Sequence, residues 1–434
     1  MGKRRIIVVG GGPAGLMAAG RAAENGASTI LLEKMNFPGR KLLITGHSRC
    51  NLTNDSPLDE FIEKFGSNGQ FLRQAFSQFF APDLIKFVAR LGVKVRTETD
   101  RRVFPESERA SDIVNALVGW VNKCGVVVRN LLPVKQLLIE KGRIAGVEVS
   151  AESQRKNEGS KRVAFGSQMH IADAVIIATG GASYPSTGST GDGYRLAQKA
   201  GHHIVPIRPA LVPVETQGNI ASRLQGLSLK EVAIRLVLDG EMQVDRARHC
   251  GEIVFTHFGL SGPLILSLSK RVVDSLKMGH KVHLSIDLAP SLNDSDLDDY
   301  IIRQIRAHGK QGLNSLLIEL LPRKLISICM ELGAISPTKI GSQLTASERQ
   351  RLITLLKDFR LDVTGFRPFT EAIITAGGVD IREINPRTME SRLVKKLYFA
   401  GEVLDLDGDS GGYNLQAAFS TGWVAGNSAA GAGD

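Results

Sequence analysis

Residues 6–20 read IIVVGGGPAGLMAAG. Ile6 to Val9 is a short apolar run, the length of a buried parallel strand. Gly10, Gly12 and Gly15 follow in the spacing G-x-G-x-x-G, and Pro13-Ala14-Gly15-Leu16 opens a small-residue helix that ends near Gly26. Gly10 permits the tight turn, Gly12 lets backbone approach a pyrophosphate, and Gly15 allows close packing of helix on strand. The free N–H groups and partial positive charge of the helix N-terminus suit phosphate oxygens. Thr29 to Leu32 is the next strand, and Glu33 ends it, eighteen residues beyond Gly15. That is near the spacing of the acid that holds ribose hydroxyls. Strand, glycines, helix, strand and terminal acid together predict a dinucleotide-binding βαβ unit.

A second glycine-rich signature stands near the other end. Residues 400–418 read AGEVLDLDGDSGGYNLQAA. Leu397 to Ala400 reads as a strand, Gly401-Glu402 as a turn, and Asn414 onward as a helix. Glu402 or Asp405 is placed to accept hydrogen bonds from ribityl hydroxyls. Gly412, Tyr413 and Asn414 bring a helix N-terminus to the ligand, where its dipole would stabilise charge developing at flavin N1 and O2 on reduction. Ala417, Ala418, Thr421, Gly422 and Ala425 give this helix a face for close packing. Together the signatures point to FAD, bound by one domain assembled from both ends of the chain.

Further cofactor contacts are expected between them. Lys34, Gly39, Arg40 and Lys41 follow Glu33, and cations there can pair with pyrophosphate oxygens. Thr179, Gly180 and Gly181 follow a buried strand, Ala174 to Ala178, where a strand end approaches the cofactor. Val134 opens a strand on the same expected face. Ser183, Ser186, Thr187 and Ser189 are pocket candidates, although loop hydroxyls are commonly turn formers.

The texture changes near residue 204. Alternating runs such as Val232 to Leu238 read as a β-rich region over 204–288. Residues 289–349 read as a helical insert, with periodic runs Leu297 to Ile305, Leu313 to Leu320 and Lys324 to Leu332. Thr345-Ala-Ser-Glu348 is a capping box. Residues 350–365 return to the β-rich region, and 366–434 rejoin 1–203. In the first part, Phe71 to Leu91 reads as helices broken at Pro82, Ser111 to Cys124 as a helix capped by Ser111 or Asp112, and 151–162 as an exposed hairpin loop.

Composition limits the alternatives. The chain has 434 residues, 43% hydrophobic and 23% charged, the usual make-up of a water-soluble globular protein. No apolar run reaches a membrane span, so no membrane partner is expected. Cys50, Cys124, Cys250 and Cys329 are far apart and form no C-x-x-C. This fits a reducing, cytoplasmic setting without a disulfide framework or metal site. Only Cys50 follows the ribose-binding acid closely, which argues against dithiol chemistry. The formal net charge of +10 would serve an anionic partner such as RNA or a basic solvated surface, with denser stretches at Arg96 to Arg109 and Arg223 to His249.

The segments GRKLLITGHSRCNLTN (39–54), FTHFGLSGP (255–263), ITAGGVD (374–380) and the closing signature resemble the YhiN/BaiN family of FAD flavoproteins, which includes aminoacetone-oxidase-type enzymes. The resemblance implies an α/β fold: a glutathione-reductase-like FAD-binding Rossmann domain, an inserted β-barrel-like domain and a small helical domain. It further implies an FAD-dependent oxidoreductase, whose relatives act in C=C reduction of steroid-like enones, reduction of a ribosomal-RNA uridine, or amine oxidation. The leading expectation is NADH- or NADPH-driven reduction of a conjugated C=C bond, in RNA or a small molecule. With a single G-x-G-x-x-G, the nicotinamide would have to visit the flavin pocket directly. An oxygen-dependent oxidase of small amines, or an FAD-binding RNA-associated protein with little turnover, are the alternatives. His257 is the candidate acid/base, with apolar neighbours that suit a pocket wall. Arg49 and Asn51 are candidates for contacting flavin or orienting substrate, and Cys50 reads as a packed residue.

Overall fold

The computed structural model describes residues 2–150, 167–240 and 249–431. The loop expected at 151–162, and the end of the basic run approaching His249, lie outside the described residues. The chain divides into two compact units, one formed by Met1–Pro209 with Phe369–Asp434 and the other by Ala210–Pro368.

The first unit is built on a five-stranded parallel sheet. Its order is Leu397–Phe399, Ala174–Ile177, Arg5–Val9, Ser28–Leu32 and Val127–Arg129. Ile6, Ile7, Val8 and all of Ala174 to Ile177 are buried, which explains why these strands read as unbroken apolar runs rather than alternating ones. The opening helix, Pro13–Glu24, packs on the closing helix, Tyr413–Ala430. Glycine sets that approach. A Cβ on Gly422 would strike the Ala14 carbonyl, and one on Gly426 would come within 2.6 Å of the Ala18 oxygen. Thr421 locks the neighbouring turn: its hydroxyl donates to the Ala417 carbonyl (2.6 Å) and accepts the Gly401 N–H (2.9 Å).

Two local expectations need correction here. The helical stretch after residue 71 breaks at Phe79 and Phe80, not at Pro82, which lies in the first turn of Ala81–Arg90. A first-turn N–H has no helical partner, so proline costs little there. Likewise Ala110–Lys123 starts at Arg109 without a side-chain cap; Ser111 and Asp112 are already inside it.

The second unit holds a closed six-stranded barrel, in the order Val214–Thr216, Gly259–Ser261, His249–Phe255, Ser228–Leu238, Val282–Asp287 and Phe359–Phe366. The β-rich region also contains a 15-residue helix, Pro263–Lys277. Its start, a proline after glycine, is the end of the motif FTHFGLSGP. Helices Asp294–His308, Arg323–Leu332 and Ala346–Lys357 follow, whereas of the expected run Leu313 to Leu320 only Leu313–Leu316 is regular helix. The capping box is formed: Thr345 Oγ1 accepts the Glu348 N–H (3.3 Å) and Glu348 Oε2 accepts the Thr345 N–H (2.9 Å). The helix it opens runs past residue 349, and the strand after it closes the barrel.

Candidate functional site

The opening signature lies at the carboxyl end of the central strand. Gly10 has φ +101°, a left-handed backbone that other residues rarely adopt. A Cβ on Gly15 would fall inside the Gly10 carbonyl oxygen, so strand and helix are as close as backbone permits. Gly12 caps the opening helix with no side-chain bond, no acid stands in the first turn, and a Cβ on Gly12 would meet only open space. No side chain caps or crowds this helix start, which leaves its free N–H groups available to an anion. Glu33 is buried beside it: its Oε2 accepts the Gly11 N–H (2.7 Å) and its Oε1 the Met35 N–H (2.7 Å). Gly11 is the residue that the G-x-G-x-x-G template passes over, and its place as the middle glycine of Gly10-Gly11-Gly12 was its only signal.

Several expected contacts gather at the same sheet edge. The Gly39 N–H donates to the Gly11 carbonyl (2.8 Å), and the Leu132 N–H, two residues before Val134, to the Glu33 carbonyl (3.0 Å). Thr179, Gly180 and Gly181 follow strand Ala174–Ile177, and the Thr179 hydroxyl is buried without a partner. The three cations all have protein partners. Lys34 is held by Asp192 and by Thr190 Oγ1 (2.5 Å), and Arg40 by Asn36 Oδ1 (2.7 Å). Burial works against the Asp192 charge, but the bond and charge of Lys34 hold its carboxyl below the usual range.

Lys41 joins a compact network with the closing signature. Its ammonium donates to Glu402 Oε2 (2.7 Å) and to Ser183 Oγ (2.6 Å). Glu402 Oε1 accepts from the Thr375 N–H (2.8 Å) and Ser183 Oγ (3.0 Å). Lys41, Ser183, Thr375 and Glu402 thus tie four distant stretches together. Tyr194 donates to the Glu402 carbonyl (3.3 Å), and burial beside that carboxylate pushes its phenol well above the ordinary value. Asp405 is joined to Asn68, whose Nδ2 donates to Asp405 Oδ2 (3.0 Å) and to its carbonyl (2.8 Å).

The closing helix starts at Gly412 with no side-chain cap and no acid in its first turn. Asn414 staples the preceding loop, accepting the Gly408 N–H (2.8 Å) and donating to the Gly408 carbonyl (2.8 Å). The segment Asn51 to Asn54 lies against it. Asn54 Nδ2 donates to the Gly411 carbonyl (3.2 Å), and a Cβ on Gly412 would come 2.9 Å from Asn51 Oδ1, a buried oxygen with no partner. Arg49 is instead saturated: it pairs with Glu98 (3.0 Å) and Glu108 (3.6 Å) and lies over Phe104 at 4.1 Å. Cys50 is fully buried, and burial pushes its thiol up to about 12, so it packs and does not attack. His257 belongs to the second unit, in the turn between His249–Phe255 and Gly259–Ser261. There it is exposed and edge-on to Phe258 at 4.9 Å, not a wall residue of that unit. Among the described residues no group of metal-ligating side chains occurs, and no helix is long and apolar enough to cross a membrane.

Two helix N-termini without acids or side-chain caps, a buried acid at the first and an orphaned buried oxygen at the second, fit the two ends of FAD. The fold and site define an FAD-dependent oxidoreductase with a Rossmann-type cofactor domain. The chain belongs to the HI0933-like protein Rossmann domain family, which it matches over residues 4–428. It is 32% identical to the ribosomal RNA dihydrouridine synthase of Escherichia coli (strain K12), over 96% of each chain. It is 30% identical to the 3-dehydro-bile acid delta(4,6)-reductase of Clostridium scindens, over 98% of this chain and 99% of that one. Among solved structures, the 3-ketosteroid delta1-dehydrogenase of Sterolibacterium denitrificans aligns over all of both chains, with a TM-score of 0.52 and 12% identity. That last likeness concerns the fold.

Proposed function

We propose that this protein reduces a carbon–carbon double bond conjugated to a carbonyl, with electrons from NADH or NADPH, and that its substrate is a uridine in ribosomal RNA. What carries the reading is the pair of relatives matched over nearly their whole length. Their names describe saturation of such a bond on two unrelated molecules, so the shared part is the reaction. The RNA version rests on the relative of higher identity and on the net charge of +10.

FAD, when bound, would supply the hydride acceptor and donor. The chain's own work is to hold and polarise. Amides at Gly12, Ala14 and Gly15 hold the pyrophosphate, and Glu33 stands beside that turn for the ribose. The closing helix N-terminus at Gly412 to Asn414 would offset negative charge at the far end of the cofactor, and Asn51 Oδ1, buried without a partner, would be available to it as an acceptor. Lys41 and Ser183 hold Glu402 in place from two sides. Asn51 is kept as an orienting group beside the closing helix. A cytoplasmic setting belongs to this reading and accords with four unpaired cysteines.

The test is anaerobic mixing of the holoenzyme with NADH or NADPH, followed by unmodified ribosomal RNA transcript. Bleaching by a nicotinamide, recovery of flavin colour on adding RNA, and dihydrouridine by mass spectrometry are expected. Bleaching by aminoacetone alone, with fast reoxidation in air and peroxide release, would replace this reading with the oxidase.

A further inference from the structure

The first of the two basic stretches that stand out in the sequence, Arg96 to Arg109, is neutralised within the fold. Arg49 and Arg96 share Glu98 and Glu108, Arg101 pairs with Glu60 (3.0 Å), Arg102 with Asp100, and Arg109 with Asp112 (3.3 Å). Arg223 pairs with Glu331 (2.6 Å), which holds that carboxyl below its ordinary value. The stretch Arg96 to Arg109 therefore has little charge left for a partner.

Unspent charge gathers where two stretches far apart in sequence meet. The hairpin of Val134–Glu140 and Arg143–Ser150 turns at Lys141-Gly142, both with positive φ (49° and 74°). Its tip is hydrogen-bonded to residues 392–396: the Lys395 N–H donates to the Gly142 carbonyl (2.9 Å) and the Ile144 N–H to the Lys395 carbonyl (3.0 Å). Lys141, Arg143, Arg392 and Lys395 are all exposed. Among the described residues, Lys141, Arg392 and Lys395 have no carboxylate partner. Arg143 adds to the field at Asp173, but that acid already takes the Arg5 N–H (2.7 Å) and guanidinium (3.3 Å). The hairpin carries two acids, Glu140 at its tip and Glu148 farther along, and Glu390 already accepts the Lys396 N–H (2.7 Å).

The knuckle is also rigid. The Ser391 hydroxyl accepts the Leu393 and Val394 N–H groups (3.0 and 2.9 Å) and lies 2.8 Å from His202 Nε2, while His202 Nδ1 lies 2.9 Å from Glu383 Oε2. With its lone pairs engaged, Ser391 must donate its proton to Nε2, so the ring is neutral with Nδ1–H on Glu383. This buried relay fixes the turn that carries Arg392 and Lys395. A fixed array of unpaired guanidinium and ammonium groups matches phosphate oxygens without the entropy cost of ordering a loop.

We propose that this knuckle, Lys141, Arg143, Arg392 and Lys395, docks the phosphate backbone of RNA; this rests on the RNA reading above. Lys395 lies just before strand Leu397–Phe399, at the amino end of the sheet, whereas the glycine turns lie at the carboxyl ends. The knuckle therefore grips RNA away from the reacting base, raising affinity and leaving the chemical step alone.

The test measures binding of the FAD-loaded protein to a fluorescein-labelled RNA stem–loop across a salt series. Lys141→Glu/Arg143→Glu/Lys395→Glu is expected to weaken binding tenfold or more near 0.1 M salt and to flatten the log–log salt slope by roughly two to three, at about 0.7–0.9 per lost phosphate contact. The neutral set Lys141→Gln/Arg143→Gln/Lys395→Gln should fall between, with unchanged flavin absorbance and thermal midpoint, so that misfolding is not mistaken for lost contact. In turnover, KM for RNA should rise while kcat holds. Arg323→Glu/Lys324→Glu, on an exposed helix start of the second unit, should bind as the parent does. Equal weakening by that control, or no weakening by the knuckle sets, overturns the docking surface alone. A parent protein that does not bind the stem–loop at all removes the RNA reading with it.

Discussion

The two glycine turns of the cofactor domain do similar work by opposite means. The opening turn is shaped by what is missing: Gly15 lies against the Gly10 carbonyl and Gly12 faces open space. The closing turn is shaped by what is supplied. Asn414 staples its loop, Asn54 holds Gly411, and Lys41 and Ser183 brace Glu402 beneath it. A turn made by omission has a fixed local spacing and can be read off a sequence. A turn made by distant side chains has none, and must be seen folded.

The difference can be broken first at the opening turn. Gly15→Val forces a side chain into backbone that cannot yield, and should cost about 3 kcal/mol or more. Loss of bound flavin together with a lowered urea midpoint is expected; a protein that keeps both would show that the turn is not tightly packed. At the closing turn, Lys41→Met strands Glu402 with one partner fewer at a site mostly shielded from water. A loss of about 1–3 kcal/mol in urea unfolding is expected.

Asn51→Ala sharpens the contrast. Its Oδ1 has no partner in the protein, so the apoprotein should be about as stable as the parent or slightly more so. FAD affinity, by equilibrium dialysis, should fall roughly tenfold if the oxygen serves the cofactor. Equal losses in both measurements would make Asn51 merely structural.

The His202 relay predicts a pH dependence. Burial lowers its pKa below the ordinary value of 6.5, partly opposed by Glu383. The unfolded chain therefore binds this proton before the native one does. The relay's stability is fully present above pH 6.5 and is lost as pH falls from there towards the folded pKa. His202→Gln should flatten that limb of the stability profile, measured by urea midpoints across pH. The smallest effect belongs to Thr345→Ala in the second unit, about 1 kcal/mol by loss of the cap, with flavin binding unchanged.

The parallel sheet and opening helix were legible because buried strands and glycine spacing are local signals. The Thr345 box was legible for the same reason. The helix Pro263–Lys277 was not, because its start is embedded in a glycine-rich motif. Nor was the Lys41–Ser183–Glu402 network, since no local pattern records which hydroxyl among Ser183, Ser186, Thr187 and Ser189 will meet a carboxylate about two hundred residues away. Charge was misleading in the same way: the dense basic run Arg96 to Arg109 found carboxylates, and cations far apart in sequence met each other.

The glycine contacts between Pro13–Glu24 and Tyr413–Ala430 also order events during synthesis. The first half of the cofactor site leaves the ribosome some four hundred residues ahead of the second, an interval on the order of 20–80 s at about 5–20 residues per second. Through that interval the opening helix has no partner for its glycine-matched face, and the central sheet lacks its Leu397–Phe399 edge. Flavin loading must therefore come after translation has passed the closing helix. A nascent chain stalled short of it would expose a hydrophobic sheet edge to chaperones rather than to cofactor.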